Sequence, residues 1–369
     1  MDLGQIEKPT LLLDEARARH NLERMALKAR RLGLRFRPHF KTHQSAEMGE
    51  WFRKEGVSGI TVSSVDMAQY FAAAGWQDIL IAFSTNPRQA RALDELAGRI
   101  HLEVLVESPE TVTFLDEHLT HTVDAWIEVD VGQHRTGIPV EEHGYLLALA
   151  RCMRGTKLHL RGLLAHAGQT YHAEPAEIDA ICQRSITDMQ RAREALARGG
   201  IAPCELSYGD TPSCTLVEDL RGLDEIRPGN FIFYDLMQQR LGVCPETDIA
   251  VAVACPVVAK HAERGANGTL YRLALYGGAI HLSKEYLAGE NGPIYGGLAH
   301  LSAKGWGELL PGAALYSLSQ EHGLARVSVA RYDAFQVGDL AAVIPVHSCL
   351  TVDLYHEYLT VEGKRIGIK

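Results

Sequence analysis

Arg37-Pro38-His39-Phe40-Lys41-Thr42-His43-Gln44-Ser45 closes an apolar-flanked run that begins near Leu34. If that run is a strand, its side chains alternate between two faces, so Arg37, His39, Lys41 and His43 share one of them. Two readings are open. On an exposed edge the four groups make a solvated basic stripe of the kind that discourages strand pairing. Inside a closed barrel, a lysine flanked by cations loses part of its proton affinity and becomes a usable amine nucleophile.

The flanking sequence alternates strand and helix signals. Leu11-Leu12-Leu13-Asp14 leads into helical spacing from about Glu15 to Arg31, with Gly33 as its stop. Strand candidates end near Phe36, Val62, Ala82, Val106, Glu128, Leu164, Ser207 and Ile226. Most are separated by helical stretches such as Val65 to Ala74 and Ile178 to Arg198. Eight strands in this order predict an α/β fold, a (β/α)8 TIM-like barrel, whose functional residues belong at the C-terminal ends of the strands. Lys41, Ser63-Ser64, Asp130 to Arg135, His166 to Tyr171, Tyr208 to Thr211 and Arg227 to Asn230 all follow such ends. Beyond about Pro245 the runs become short, β-rich and broken by Gly and Pro, from Ile249–Val258 to Glu357–Val361, which predicts a C-terminal β domain. The expected division is a barrel over 8–245 and a β domain over 246–369, with residues 1–7 as a segment that could pack with the latter.

Composition narrows the partners. The 369 residues are 46% hydrophobic, ample for a sizeable core, and carry a net charge of -9 with their 37 basic residues scattered. Nucleic-acid binding needs clustered positive charge and is not expected. Seven cysteines, an odd number without C-x-x-C spacing, suit free thiols in a reducing compartment. No basic-then-apolar leader and no bilayer-length apolar run is visible, so no membrane partner and a cytoplasmic location are expected.

Chemistry concentrates in four places. A lysine that must attack a carbonyl implies a Schiff base, and pyridoxal 5'-phosphate is the commonest aldehyde cofactor to make one. Gly209-Asp210-Thr211-Pro212 and Arg227-Pro228-Gly229-Asn230 follow consecutive strand candidates. Each alone is a turn; together they could bring backbone N–H groups, the Thr211 hydroxyl and the Asn230 amide to a phosphate. His166 is either a satisfied strand-end histidine or a site residue, and Arg135 either ties its loop to Asp130 or reaches a ligand. His347 and Cys349 share a face if they lie on a strand, and nitrogen plus sulfur is a zinc-type pair. A buried cysteine near a structural histidine reads the same.

Pro38-His39-Phe40-Lys41-Thr42-His43 resembles the lysine-bearing segment of the D-threonine aldolase and D-serine dehydratase family, pyridoxal-phosphate enzymes related to alanine racemase. The similarity runs from Pro9-Thr10 to His347-Ser348-Cys349. It implies that Lys41 carries the cofactor and is catalytic together with His166, and that Gly209, Thr211, Gly229 and Asn230, with Tyr208 beside them, hold the phosphate. Arg135, in Glu128 to Gly137, resembles the family's Asp-x-Gly...Arg-x-Gly turn. Arg227 resembles the arginine that meets the pyridine nitrogen, and Tyr171 is placed near cofactor and substrate. His347 and Cys349 are implied as ligands of a divalent metal, Zn, Mn or Mg, in a homodimer with a shared active site. The metal pair lies in the β domain and Lys41 in the barrel, so the two must be brought together.

The activity implied is a lyase acting on β-hydroxy-D-amino acids, by dehydration or by retro-aldol cleavage to glycine and an aldehyde. The rivals are an amino-acid racemase and a non-catalytic pyridoxal-phosphate carrier. Two departures stand out. Many relatives have serine where this chain has Asp210, whose charge would repel a phosphate unless it points away. Tyr276-Gly277-Gly278-Ala279-Ile280-His281 departs from an expected Asp-x-Gly-Ala pattern.

Overall fold

The computed structural model describes residues 1–201, 204–265 and 268–369. They fall into two compact units: Glu23–Lys41 with Met48–Phe231, and Met1–Leu22 with Thr42–Glu47 and Ile232–Lys369. In chain order the first strands are β1 (Thr10–Leu13), β2 (Arg35–Phe36), β3 (Ile60–Val62), β4 (Asp78–Ser84) and β5 (His101–Val106). They are followed by β6 (Val123–Asp130), β7 (Ile138–Pro139), β8 (Leu158–His166), β9 (Glu205–Gly209) and β10 (Glu225–Ile226). The helices among them are α1 (Glu15–Leu32), α2 (Ala46–Lys54), α3 (Val65–Ala73), α4 (Ala90–Ala97), α5 (Pro109–His118), α6 (His143–Cys152), α7 (Ile178–Arg198) and α8 (Thr211–Leu216).

Eight parallel strands pair in the order β2-β10-β9-β8-β6-β5-β4-β3. A parallel bridge between His39 and Thr61 joins the two ends of that path, so the sheet closes into the expected (β/α)8 barrel. Parallel strands buried on both faces read as unbroken apolar runs, as in Ile79-Leu80-Ile81 and Val104-Leu105-Val106. The i, i+2 rule builds the interior in layers. Leu80, Leu105, Trp126 and Leu164 form one apolar layer.

Two residues earlier on β4 and β5 stand Asp78 and Glu103, and these belong to an ionic layer around Arg37. Its guanidinium is 1% exposed; Nε meets Glu225 Oε2 at 2.8 Å, Nη1 meets Asp78 Oδ1 at 2.8 Å and Nη2 meets Glu103 Oε1 at 2.9 Å. Trp126 Nε1 donates to the other oxygen of Glu103. Asp78, His101 and Glu103 are the one group of three or more metal-type side chains among the described residues. Arg37 already supplies the positive charge two of these carboxylates need.

The alternation expected through Ser45 ends early. Regular strand ends at Phe36, single backbone bonds to the neighbouring strands continue through Pro38 to Phe40, and residues 40–43 then form a turn. Arg37 therefore points into the carboxylates, His39 and His43 are buried, and Lys41 is exposed.

The remaining elements are α9 (Leu236–Arg240), β11 (Val251–Gly265), β12 (Gly268–Tyr276), α10 (Ala279–Leu282), β13 (Leu287–Gly289), β14 (Gly292–Ile294), β15 (Gly296–Ser302) and β16 (Gly305–Leu318). After them come β17 (His322–Val327), α11 (Val329–Ala334), β18 (Leu340–Pro345), α12 (Ser348–Val352), β19 (Glu357–Thr360) and β20 (Arg365–Gly367). The sheet runs β12-β17-β16-β15-β18-β11-β1-β19-β20, and β12 also pairs with β11, closing six antiparallel strands on themselves. β1, from the start of the chain, lies antiparallel to β11 and parallel to β19. No helix among the described residues is long and apolar enough to cross a membrane.

Candidate active site

In the barrel unit, basic groups gather at the C-terminal ends of β2, β6, β8 and β10. His39 donates its backbone N–H to Pro228 O, and its ring Nδ1 accepts the Lys41 N–H at 3.3 Å. The imidazole is held well below its usual pKa, first by burial and then by the charges of Lys41 and Arg227, with His166 and Arg135 behind them. His166 ends β8 with Nδ1 2.6 Å from Gly209 O. Burial first, then Lys41 and Arg135, then Arg227, push it down to about 3. Both histidines are thus neutral at ordinary pH, and the net local charge comes from Lys41, Arg135 and Arg227. Such a cluster suits an anionic ligand.

Arg227 is buried; Nε donates to Ser207 Oγ at 2.6 Å and Nη2 to Ala165 O at 2.6 Å. Burial lowers it to about 10, which leaves it cationic at neutral pH. Ser207 passes its own hydrogen to Glu225 Oε1 at 2.6 Å, so Arg227 is braced through Glu225 to the ionic layer below. Arg135 is exposed on the loop after β6. The Asp130 carboxylate there gathers the N–H groups of Gly132, Gln133 and His134 and the His134 ring.

Gly209, Thr211, Gly229 and Asn230 lie where β9 and β10 end. At Gly209 a Cβ would sit 3.0 Å from Arg227 O, so any side chain there would press on the end of the neighbouring strand. The Thr211 hydroxyl is buried without a partner among the described residues, the state expected of a donor awaiting a ligand. Tyr171 accepts the Thr211 N–H at 3.2 Å, and its ring centroid is 6.2 Å from that of His166. Asn230 is buried and Gly229 half-buried. The Tyr208 side chain is fully buried, its hydroxyl 3.2 Å from Ser213 Oγ, so this residue faces the packing behind the turn.

Asp210 does point inward. It N-caps α8, with Oδ1 accepting the Ser213 N–H at 2.6 Å and facing the Thr170 hydroxyl at 3.1 Å. Burial raises its carboxyl to about 6 against those hydrogen bonds.

In the other unit, His347 and Cys349 are not on a strand. β18 stops at Pro345, His347 is the N-cap of α12, and Cys349 is the second residue of that helix. The pair still converges, through the turn that starts the helix rather than through strand alternation. His347 Nδ1 lies 3.3 Å from Asp235 Oδ2, while the Cys349 thiol lies 3.2 Å from Thr42 Oγ1. The His347 contact is at ion-pair distance only, and Nδ1 is a buried nitrogen that makes no hydrogen bond among the described residues. An imidazole with unmet donor capacity and a thiol fit a divalent metal of the zinc type. Tyr276 and His281 pack edge to face at 5.6 Å, and the α10 that follows is tied to α12 by Thr351 Oγ1, which donates to Leu282 O.

Sequence reasoning assigned no role to His39, Thr42, Asp235 or Glu128. Glu128 is buried with its carboxyl pushed up by desolvation and bonded to the Thr136 hydroxyl at 2.9 Å. Asp235-Leu236-Met237-Gln238 carries an N-cap pattern that could have marked Asp235. Nothing local pointed to Thr42.

Comparison with known proteins matches this architecture. The family model "Alanine racemase, N-terminal domain" matches residues 13–236, and "Putative serine dehydratase domain" matches 250–361. The chain belongs to the D-threonine aldolase and D-serine dehydratase family of pyridoxal-phosphate-dependent lyases. It is 31% identical to a D-threo-3-hydroxyaspartate dehydratase of Delftia sp. (strain HT23), over 94% of this chain and 92% of that protein. A D-serine dehydratase of Dictyostelium discoideum is 25% identical over 98% of this chain and 95% of its own. The solved structure of the Delftia sp. HT23 enzyme superimposes with a TM-score of 0.89 at 28% identity, covering 98% of this chain and 97% of that one.

Proposed function

We propose that this chain dehydrates a β-hydroxy-D-amino acid to a 2-oxo acid and ammonia, with pyridoxal phosphate on Lys41 and a divalent metal on His347 and Cys349. The observation that carries this reading is the second ligand position. In the proposed pair that position falls to the Cys349 thiol, which lies beside Thr42 Oγ1; His-x-Cys resembles the dehydratase branch of the family, whereas its aldolases often place an aspartate near the thiol position. The relatives support it: dehydratases align over 94% and 98% of this chain, whereas a D-threonine aldolase of Arthrobacter sp. aligns over 63%. Alanine racemases of known structure are 12–13% identical and share the fold.

When bound, the cofactor supplies an aldehyde for the amine and an electron sink for charge at Cα, and the cation supplies Lewis acidity toward the β-oxygen. Lys41 Nζ is the base that takes the Cα proton. Gly209, Thr211, Gly229 and Asn230 hold the phosphate, and Tyr171 steadies that turn through the Thr211 N–H. Arg227, with Nε and Nη2 bonded to Ser207 and Ala165, keeps its proton; placed beside the cofactor's ring nitrogen it would leave that nitrogen unprotonated and the electron sink weaker. His347 and Cys349 would hold the cation by two protein ligands, leaving it positions for water and substrate as a catalytic metal requires. A cytoplasmic homodimer belongs to the same reading.

The test is a product assay on D-serine, D-threonine and 3-hydroxy-D-aspartate. A 2-oxo acid with equimolar ammonia is expected; glycine as the main product would mean retro-aldol cleavage instead. Chelation should remove the activity and leave the cofactor absorbance in place, and turnover that survives chelation would rule out the role of His347 and Cys349.

A further inference from the structure

Asp235 is fully buried and precedes α9, whose first turn it caps: Oδ1 accepts the Gln238 N–H at 3.0 Å. Capping needs one oxygen, and Ser, Thr or Asn would serve. The second oxygen does something else. Oδ2 accepts the Ser348 N–H at 2.9 Å and faces the Ser348 hydroxyl and His347 Nδ1, each at 3.3 Å. It therefore reaches both residues that open α12, one of them a member of the metal pair.

His347 occupies the N-cap position of α12 with extended backbone (φ -132, ψ 107), yet makes no side-chain capping bond of its own. Helix starts leave N–H groups without intrahelical partners, and the residue at the cap usually serves them. Here Asp235 takes that duty by receiving the Ser348 N–H. One carboxylate caps two helices, and the His347 ring is released from its helix.

We propose that Asp235 is the positioning residue of the metal pair: its carboxylate fixes the start of α12 and lies 3.3 Å from His347 Nδ1, otherwise unbonded among the described residues, so that on cation binding it takes the Nδ1 proton as a hydrogen bond and leaves Nε2 to the metal. The inference rests on the reading that His347 and Cys349 bind metal. An imidazole whose Nδ1 meets a carboxylate oxygen carries its proton there, which fixes both the tautomer and the ring plane. Asparagine at 235 keeps an oxygen for the Gln238 N–H but turns an NH2 group toward Ser348 N–H and His347, where an acceptor is required.

The experiment titrates Zn2+ into the chelator-treated, cofactor-loaded full-length protein against a chromogenic competitor, for wild type, Asp235→Asn, His347→Ala and Cys349→Ala. Asp235→Asn is expected to weaken Zn2+ binding about 10–100-fold. Its cofactor absorbance should be unchanged. If His347→Ala and Cys349→Ala bind Zn2+ like wild type, the metal-pair reading fails and this inference with it. If they lose the metal while Asp235→Asn keeps it, only the inference is overturned. Should Asp235→Asn fail to fold, 15N spectra of the histidines in wild type decide the matter: the signal lost in His347→Ala is expected to report the Nδ1–H tautomer, and an Nε2–H tautomer overturns the proposal.

Discussion

Thr42 Oγ1 lies 3.2 Å from Cys349 Sγ, and these two residues are 307 positions apart in the chain. If Cys349 ligates the proposed cation as a thiolate, it accepts hydrogen bonds but donates none, and Thr42 must donate its hydroxyl hydrogen in this contact. Thr42→Val keeps the shape and removes that hydrogen. The expected result is divalent-metal affinity weaker by about tenfold, with Thr42→Ser near wild type. Equal affinity in Thr42→Val would mean that the contact is packing alone.

Lys41 follows the buried His39, whose depressed pKa already registers the lysine's charge. Lys41→Ala should abolish the near-visible absorbance of the lysine-linked cofactor together with turnover. Spectra recorded after cofactor addition and gel filtration test this directly. A retained band would move the covalent attachment to another amine.

Asp210 sets a pH dependence. Its folded pKa, about 6, is raised above the ordinary carboxyl value by burial. A raised carboxyl costs nothing below its unfolded pKa; the cost grows as pH climbs from about 4 to about 6 and is constant above. A two-unit shift corresponds to roughly 2–3 kcal/mol. Asp210→Asn, which keeps the helix cap, should therefore match wild type near pH 4 and exceed it in unfolding free energy by that order at pH 7. Parallel stability curves for the two proteins over this range would contradict the assignment.

Arg37 neutralises Asp78, Glu103 and Glu225 in the barrel interior. Arg37→Met strands buried carboxylates and should cost about 3–5 kcal/mol in urea unfolding. Arg37→Lys should recover part of that, because an ammonium cannot serve three carboxylates in one plane as a guanidinium does. A loss below about 1 kcal/mol would show that these acids carry protons in the folded state.

The barrel was legible because its signal is local. Parallel strands buried on both faces must be apolar runs, helices between them must show a 3.6-residue period, and the residues with chemistry follow each strand end. The strand ends expected near Phe36, Val62, Val106 and Ile226 are those observed. Where the chain turns sharply, periodicity misled. A turn over 40–43 took Lys41 off the strand, and a helix N-cap rather than a strand carries His347 beside Cys349.

The amino-acid sequence alone determined the strand-and-helix alternation of the barrel and the β-rich texture after it, because each is a local pattern, and it singled out the segments around Lys41, Gly209, Gly229 and His347 by the residue types they bring together. Only the tertiary structure decided that Arg37 serves three carboxylates, that Asp210 is a buried helix cap, that Thr42 meets Cys349 and that Asp235 lies beside His347. Those partners come from strands and turns tens to hundreds of residues apart. Their pairing depends on where closed sheets bring side chains into water-poor space, and no local period encodes that.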